Sequence, residues 1–94
     1  PAKFEIGSKV SNSTISAGCR IRGSVTGSIL GRNVIIERGA VVRDSIVMEG
    51  CIVKEGSVVE HAIVDRSNII PAGTELRGTS EEILLQRKNN KRVA

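Results

Sequence analysis

Aliphatic residues return along this chain at a fixed interval of seventeen: Leu30, Val47 and Val64; Ile36, Val53 and Ile70; Val25, Val42, Val59 and Leu76. Within each interval they divide the chain as six, six and five residues, read as L-GRNVI, I-ERGAV and V-RDSI. Each segment is one short strand followed by one polar corner. Self-similarity at a short fixed period marks a repeat protein, and a six-residue aliphatic repeat points to a parallel β-helix coiled around its own core. Three segments per turn make a triangular prism. Residues seventeen apart then lie directly above one another at roughly 4.8 Å, the spacing of hydrogen-bonded strands.

The corners carry a second, independent register. A turn of about 120° every six residues needs a backbone position at positive φ, which Gly and Asn tolerate best. Three residues past each aliphatic stand Gly18, Asn33, Gly39, Gly50, Gly56, Ser67 and Gly73. The five-residue segments turn one residue sooner, at Asn12, Gly27, Asp44 and His61, followed by the small residues Ser13, Ser28, Ser45 and Ala62. Four past each aliphatic comes an inward column that must be small where three walls converge: Cys19, Val34, Ala40, Cys51, Ser57, Asn68 and Thr74.

The fold class predicted is therefore all-β, a single-stranded parallel β-helix of about four triangular turns between Val10 and Leu76. The first turn is shortened by two residues at Ile21–Val25. With one Phe and neither Tyr nor Trp among 94 residues, an ordinary layered core is out of reach, whereas a thin prism of Val and Ile needs no aromatics. Four turns stand on the order of 20 Å tall. Both ends expose strand edges, which must be covered. The expected layout is a linker over 1–9, the β-helix over 10–76, and a C-terminal extension with a basic tail over 77–94, where a short helix or a terminal strand would cover the open end. No apolar run of about 20 residues suggests a membrane span, and no signal peptide opens the chain.

Charge adds little. The net charge is +4, but residues 1–86 are balanced and the excess sits in Arg87, Lys88, Lys91 and Arg92. No aromatic lies among these to stack on bases, so the tail reads as a solvated terminus and nucleic acid is not an expected partner. Cys19 and Cys51 share the inward column two turns apart, about twice the strand spacing and beyond disulfide reach. Two buried free thiols imply a reducing compartment, most simply the cytoplasm. Neither a CxxC pair nor a His/Cys cluster suggests a metal. His61, the single histidine, occupies a corner where Asn12, Gly27 and Asp44 stand in other turns, and reads as a turn residue before a catalytic base.

The run Gly18-Cys19-Arg20-Ile21-Arg22-Gly23-Ser24-Val25-Thr26-Gly27-Ser28-Ile29-Leu30 contains the shortened turn. With Gly39-Ala40-Val41-Val42-Arg43-Asp44-Ser45-Ile46-Val47-Met48 and Ala62-Ile63-Val64-Asp65-Arg66, it resembles the C-terminal β-helix of bacterial glucose-1-phosphate adenylyltransferase (ADP-glucose pyrophosphorylase) over residues 9–76. The resemblance implies a left-handed coil. It also implies a missing N-terminal nucleotidyltransferase domain, which makes ADP-glucose and pyrophosphate from ATP and glucose 1-phosphate with Mg²⁺ and holds every catalytic residue. No catalytic residue, cofactor or metal is then expected in this segment.

Its implied role is regulatory and oligomerising: packing on its own N-terminal domain, contributing to a homo- or hetero-tetramer with the catalytic subunit, and helping to shape a pocket for a sugar-phosphate effector. The Pro1-Ala2-Lys3-Phe4 opening, with the V-S-N-S-x-I run at Val10–Ile15 and Gly27-Ser28-Ile29-Leu30, leans toward the accessory-subunit type. In that family a basic residue after the Asp of the A-I-[IV]-D-[KR] motif lies near the effector phosphate, which singles out Asp65 and Arg66, a guanidinium being suited to bidentate phosphate binding. The competing expectation is a hexapeptide-repeat acyltransferase acting as a trimer. Such enzymes usually show eighteen-residue turns and a long interrupting loop, which this sequence lacks.

Overall fold

The structure is a computed structural model that describes residues 1–88. Every strand pairing is parallel and no helix occurs among the described residues. The strands are two or three residues long and fall into three five-stranded sheets, the faces of a prism of about four turns. The first face stacks Lys3–Phe4, Arg20–Ile21, Ile35–Ile36, Ile52–Val53 and Ile69–Ile70. The second stacks Lys9–Ser11, Ser24–Thr26, Val41–Arg43, Val58–Glu60 and Glu75–Arg77, and the third Thr14–Ile15, Ile29–Leu30, Ile46–Val47, Ala62–Val64 and Leu84–Gln86.

Registers follow the seventeen-residue period: Val53 lies against Ile36 and Ile70, Val59 against Val42 and Leu76, Val64 against Val47. A strand of alternating direction sends one residue in and the next out, so the recurring aliphatics wall the interior. Ile21, Ile36 and Val53 on the first face, Val25, Val42 and Val59 on the second, and Leu30, Val47 and Val64 on the third are all completely buried. Each such side chain contributes about 1.5–3 kcal/mol of hydrophobic stabilisation. The small column is buried as well from Cys19 to Asn68; Thr74, on the last turn, is half-buried. All eleven corner residues named from the spacing have positive φ, including Asn12, Asn33, Asp44, His61 and Ser67 at 47–58°.

Cys19 and Cys51 are free and buried, with Val34 between them in the column. The Cys51 thiol donates to the carbonyl of Asp65 at 3.0 Å, and burial pushes its pKa up, holding it protonated.

The small residues at the start of the third face form a hydrogen-bonded ladder. Ser13 Oγ donates to the Ser11 carbonyl (2.9 Å) and accepts from the Ser28 N–H (3.0 Å). Ser28 Oγ donates to Thr26 (2.8 Å) and accepts from the Ser45 N–H (3.1 Å). Ser45 Oγ donates to Arg43 (2.7 Å) and accepts from the Ala62 N–H (3.1 Å). The hydroxyls stand in for carbonyls that the shorter segment cannot bring into line. Ser45→Ala strands the buried Ala62 N–H, and a loss of about 1–3 kcal/mol is expected in chemical denaturation. Ser11→Ala, whose side chain joins no bond of the ladder, is the matched control and is expected to shift stability by less than about 0.5 kcal/mol.

The sheets reach past 10–76 at both ends. Lys3 and Phe4, in the stretch read as linker, pair with Arg20 and Ile21 and start the first face. At the other end the chain leaves the prism at Gly78, loops through Thr79–Ile83 and returns as Leu84–Gln86 against Ala62–Val64. Of the two forms expected for the end of the coil, a strand is the one observed. Of the basic tail, Arg87 and Lys88 are exposed, while Lys91 and Arg92 lie outside the described residues.

Candidate functional site

The turn from the third face to the first repeats every seventeen residues as Gly31-Arg32-Asn33, Met48-Glu49-Gly50 and Asp65-Arg66-Ser67. Stacking is enforced by the backbone: the Gly50 N–H donates to the Arg32 carbonyl and the Ser67 N–H to the Glu49 carbonyl, both at 2.9 Å. Arg32, Glu49 and Arg66 therefore form one vertical column of alternating charge on an exposed edge. Beside it, the outward residues Ile29 and Ile46 with Met48 make an apolar floor. Column and floor together enclose an open groove of about 420 Å³ whose lining includes Arg32, Glu49 and Arg66. Gly31 lets the next turn stack this closely, since a Cβ there would lie 2.7 Å from the Glu49 nitrogen and 3.1 Å from its Cα.

The ion pairs among the described residues are Glu5 with Arg20 and Arg22, Arg77 with Glu60 and Glu75, and His61 with Asp44. None involves Arg32, Glu49 or Arg66. Among the described residues, the Arg32 and Arg66 guanidinium groups thus line one lip without an ion pair, with fork-shaped donors suited to a phosphate or carboxylate. Elsewhere among these residues Glu5 and Arg77 are paired, while Arg43 Nε is buried without a partner. Hydrogen bonding to Arg22, with the charges of Arg22 and Arg20, holds the Glu5 carboxyl below its usual range, and Arg77 bridges Glu60 at 2.7 Å and Glu75 at 3.2 Å.

Of the two site residues singled out from the sequence, Arg66 lines the groove and Asp65 does not. The Asp65 carboxylate turns back on its own corner and accepts the Arg66 N–H at 2.8 Å. Its carbonyl accepts from Cys51 Sγ and Asn68 Nδ2. Asp65 thus braces the backbone of Arg66 at this corner. Sequence reasoning missed Arg32, Glu49 and Met48. The signal for the first two was present, because they lie one and two periods before Arg66.

His61 sits at a different corner, half-buried, with Nε2 3.8 Å from Asp44 Oδ2. No group of three or more His, Cys, Asp or Glu side chains that could hold a metal occurs among the described residues. No helix among them is long and apolar enough to cross a membrane.

Stacked six-residue segments, three to a turn, with small inward corners, define a β-helix of the hexapeptide-repeat class. Residues 1–83 match the family model described as GlmU-like, C-terminal hexapeptide, and the chain belongs to that family. Over 45 residues, 48% of its length, it is 53% identical to the glucose-1-phosphate adenylyltransferases of Streptomyces coelicolor and Streptomyces avermitilis. The matched stretch is only 11% of the length of each relative.

Proposed function

We propose that this chain is the C-terminal regulatory and oligomerising domain of a glucose-1-phosphate adenylyltransferase, and that it has no active site of its own. The likeness to two such enzymes over 45 residues carries this reading. Synthesis of ADP-glucose from ATP and glucose 1-phosphate, with its Mg²⁺, belongs to a nucleotidyltransferase domain outside these residues. The cytoplasm is the compartment where those substrates and two free thiols belong together. The accessory-subunit type is the form favoured by the opening residues together with Val10–Ile15 and Gly27–Leu30. Within the tetramer the prism packs on its own N-terminal domain and on the catalytic subunit.

The groove supports the regulatory part. A sugar phosphate would set its phosphate on Arg66 and Arg32, while Glu49 would accept from sugar hydroxyls. Titrating the 94-residue chain with inorganic phosphate and with a sugar phosphate, followed by the guanidinium NMR signals, is expected to move Arg66 and Arg32 saturably. Arg66→Ala is expected to weaken that binding about tenfold or more, the worth of a charge-assisted hydrogen bond of about 1.5–3 kcal/mol. Effector response unchanged by Arg66→Ala in the parent enzyme would remove Arg66 from the site. The acyltransferase reading rests on the His61–Asp44 pair, and saturable binding of acetyl-coenzyme A by the chain would favour it instead.

A further inference from the structure

The inward column at the vertex between the third and first faces reads Cys19, Val34, Cys51 and Asn68, one residue per turn. Each of the first three lies above the corner of the next turn. The Cys19 thiol donates to the Gly31 carbonyl at 3.1 Å, and the Cys51 thiol to the Asp65 carbonyl at 3.0 Å. Gly31 and Asp65 immediately precede Arg32 and Arg66, the two cations of the groove. The corner between them, Met48-Glu49, lies under Val34, whose side chain has no donor. Thiols thus stand over the corners that carry an arginine and not over the one that carries a glutamate. Both are completely buried, and burial keeps that of Cys51 protonated, as a donor must be.

We propose that Cys19 and Cys51 are positioning residues of the groove, aiming the Arg32 and Arg66 guanidinium groups by pinning the peptide units from which those arginines grow. A peptide unit is planar and moves as one body, so a bond to its carbonyl also fixes its N–H and the Cα that follows. The Asp65–Arg66 unit is held at both ends: the thiol and Asn68 Nδ2 donate to its carbonyl, and the Asp65 carboxylate accepts its N–H at 2.8 Å. In the Gly31–Arg32 unit the first residue is glycine, which has the widest choice of backbone angles, and the thiol bond narrows that choice. A thiol is a weak donor, but its leverage is long, because a small rotation at Cα is magnified at the far end of an arginine. Ser57 shows that a hydroxyl serves in a like position, its Oγ donating to the Pro71 carbonyl one turn on at 2.7 Å. The inference rests on the anion groove of the proposed function and names what holds its two cations in place.

Cys51→Val and Cys19→Val remove the donor and leave a side chain that the column already accepts at Val34. In the 94-residue chain, circular dichroism is expected to stay unchanged. The Arg66 Nε–Hε NMR signal is expected to shift in Cys51→Val while that of Arg32 stays in place, and Cys19→Val is expected to do the reverse. Titrated with inorganic phosphate, each variant is expected to bind about three- to tenfold more weakly, the worth of one net hydrogen bond. The larger loss belongs to Cys19→Val, because the Asp65 carbonyl keeps Asn68 as a donor. Cys51→Ser is expected to restore both readouts through its hydroxyl, and Cys51→Ala, which adds no volume, to behave as Cys51→Val does. Both arginine signals moving together in every variant, or Cys51→Ser matching Cys51→Val, would mean that the thiols only fill space, and would overturn the proposal. Phosphate affinity unchanged in both valine variants would overturn it too. An unsubstituted chain indifferent to phosphate would overturn the anion groove instead, and the ligand-free Nε–Hε signals would still decide the positioning.

Discussion

Val47→Asp is expected to abolish cooperative folding of the chain. Val47 is completely buried on the middle rung of the third face, between Leu30 and Val64. Three walls converge on it, and the groups nearest its column are aliphatic. An unpaired carboxylate there costs several kcal/mol, against a total stability of about 5–10 kcal/mol for a domain of this size. The middle rung leaves the longest damaged stretch, because each turn is supported only by its neighbours. Loss of the β-sheet circular dichroism band and of any thermal transition is the expected readout. Ile46→Asp, one residue away and outward, should retain both. If both variants melted alike, the assignment of inside and outside would fail.

Gly23→Ala is expected to be among the most damaging changes of a single methyl group. Gly23 lies in the shortened segment between the first and second faces, buried, and a Cβ there would meet the Ala40 carbonyl oxygen at 2.3 Å and that of Glu37 at 2.7 Å. Both are backbone atoms and neither can swing aside. The Ala40 carbonyl already accepts the Ser24 N–H at 2.9 Å, and the Gly23 carbonyl accepts the Lys9 N–H at 3.0 Å, so relief would break the bonds that join this turn to its neighbours on both sides. A loss of about 3 kcal/mol is expected, the upper end for overpacking. It should be confined: amide exchange should accelerate before Val25 while Ile52–Ile70 stay protected. Gly56→Ala is the contrast. Nothing lies within 4 Å of a Cβ there and only its φ of +71° is strained, a cost of about 1 kcal/mol. Equal effects at the two sites would mean that backbone conformation, and not close approach, governs Gly23.

The faces, corners and inward columns were legible because each position is written several times, and repetition separates a structural demand from an accident of composition. Leu84–Gln86 was not legible, since Ala62 pairs with Leu84 at an offset of twenty-two and polar Gln86 falls where an aliphatic is due. Lys3–Phe4 was half-legible. Phe4 precedes Ile21 by one full period, but its side chain sits on the open first rung, where burial places no demand on it. Resemblance led to Arg66, whereas Arg32 and Glu49 were not singled out. What places them on a groove is that outward Ile29, Ile46 and Met48 lie beside them, and outward positions are the ones that the inward pattern does not constrain.

The five-residue excursion at Thr79–Ile83 shows that this architecture counts storeys and not residues. The detour is closed by its own bonds, Thr79 N–H to Glu82 O at 2.9 Å and Glu82 N–H to Thr79 Oγ1 at 3.0 Å, and the strand that follows still docks beneath Ala62–Val64. This vertex of the prism thus hosts extra peptide, because the chain re-enters at the right floor. A tag or epitope grafted between Gly78 and Leu84 should be displayed at the rim without unwinding the spiral above it.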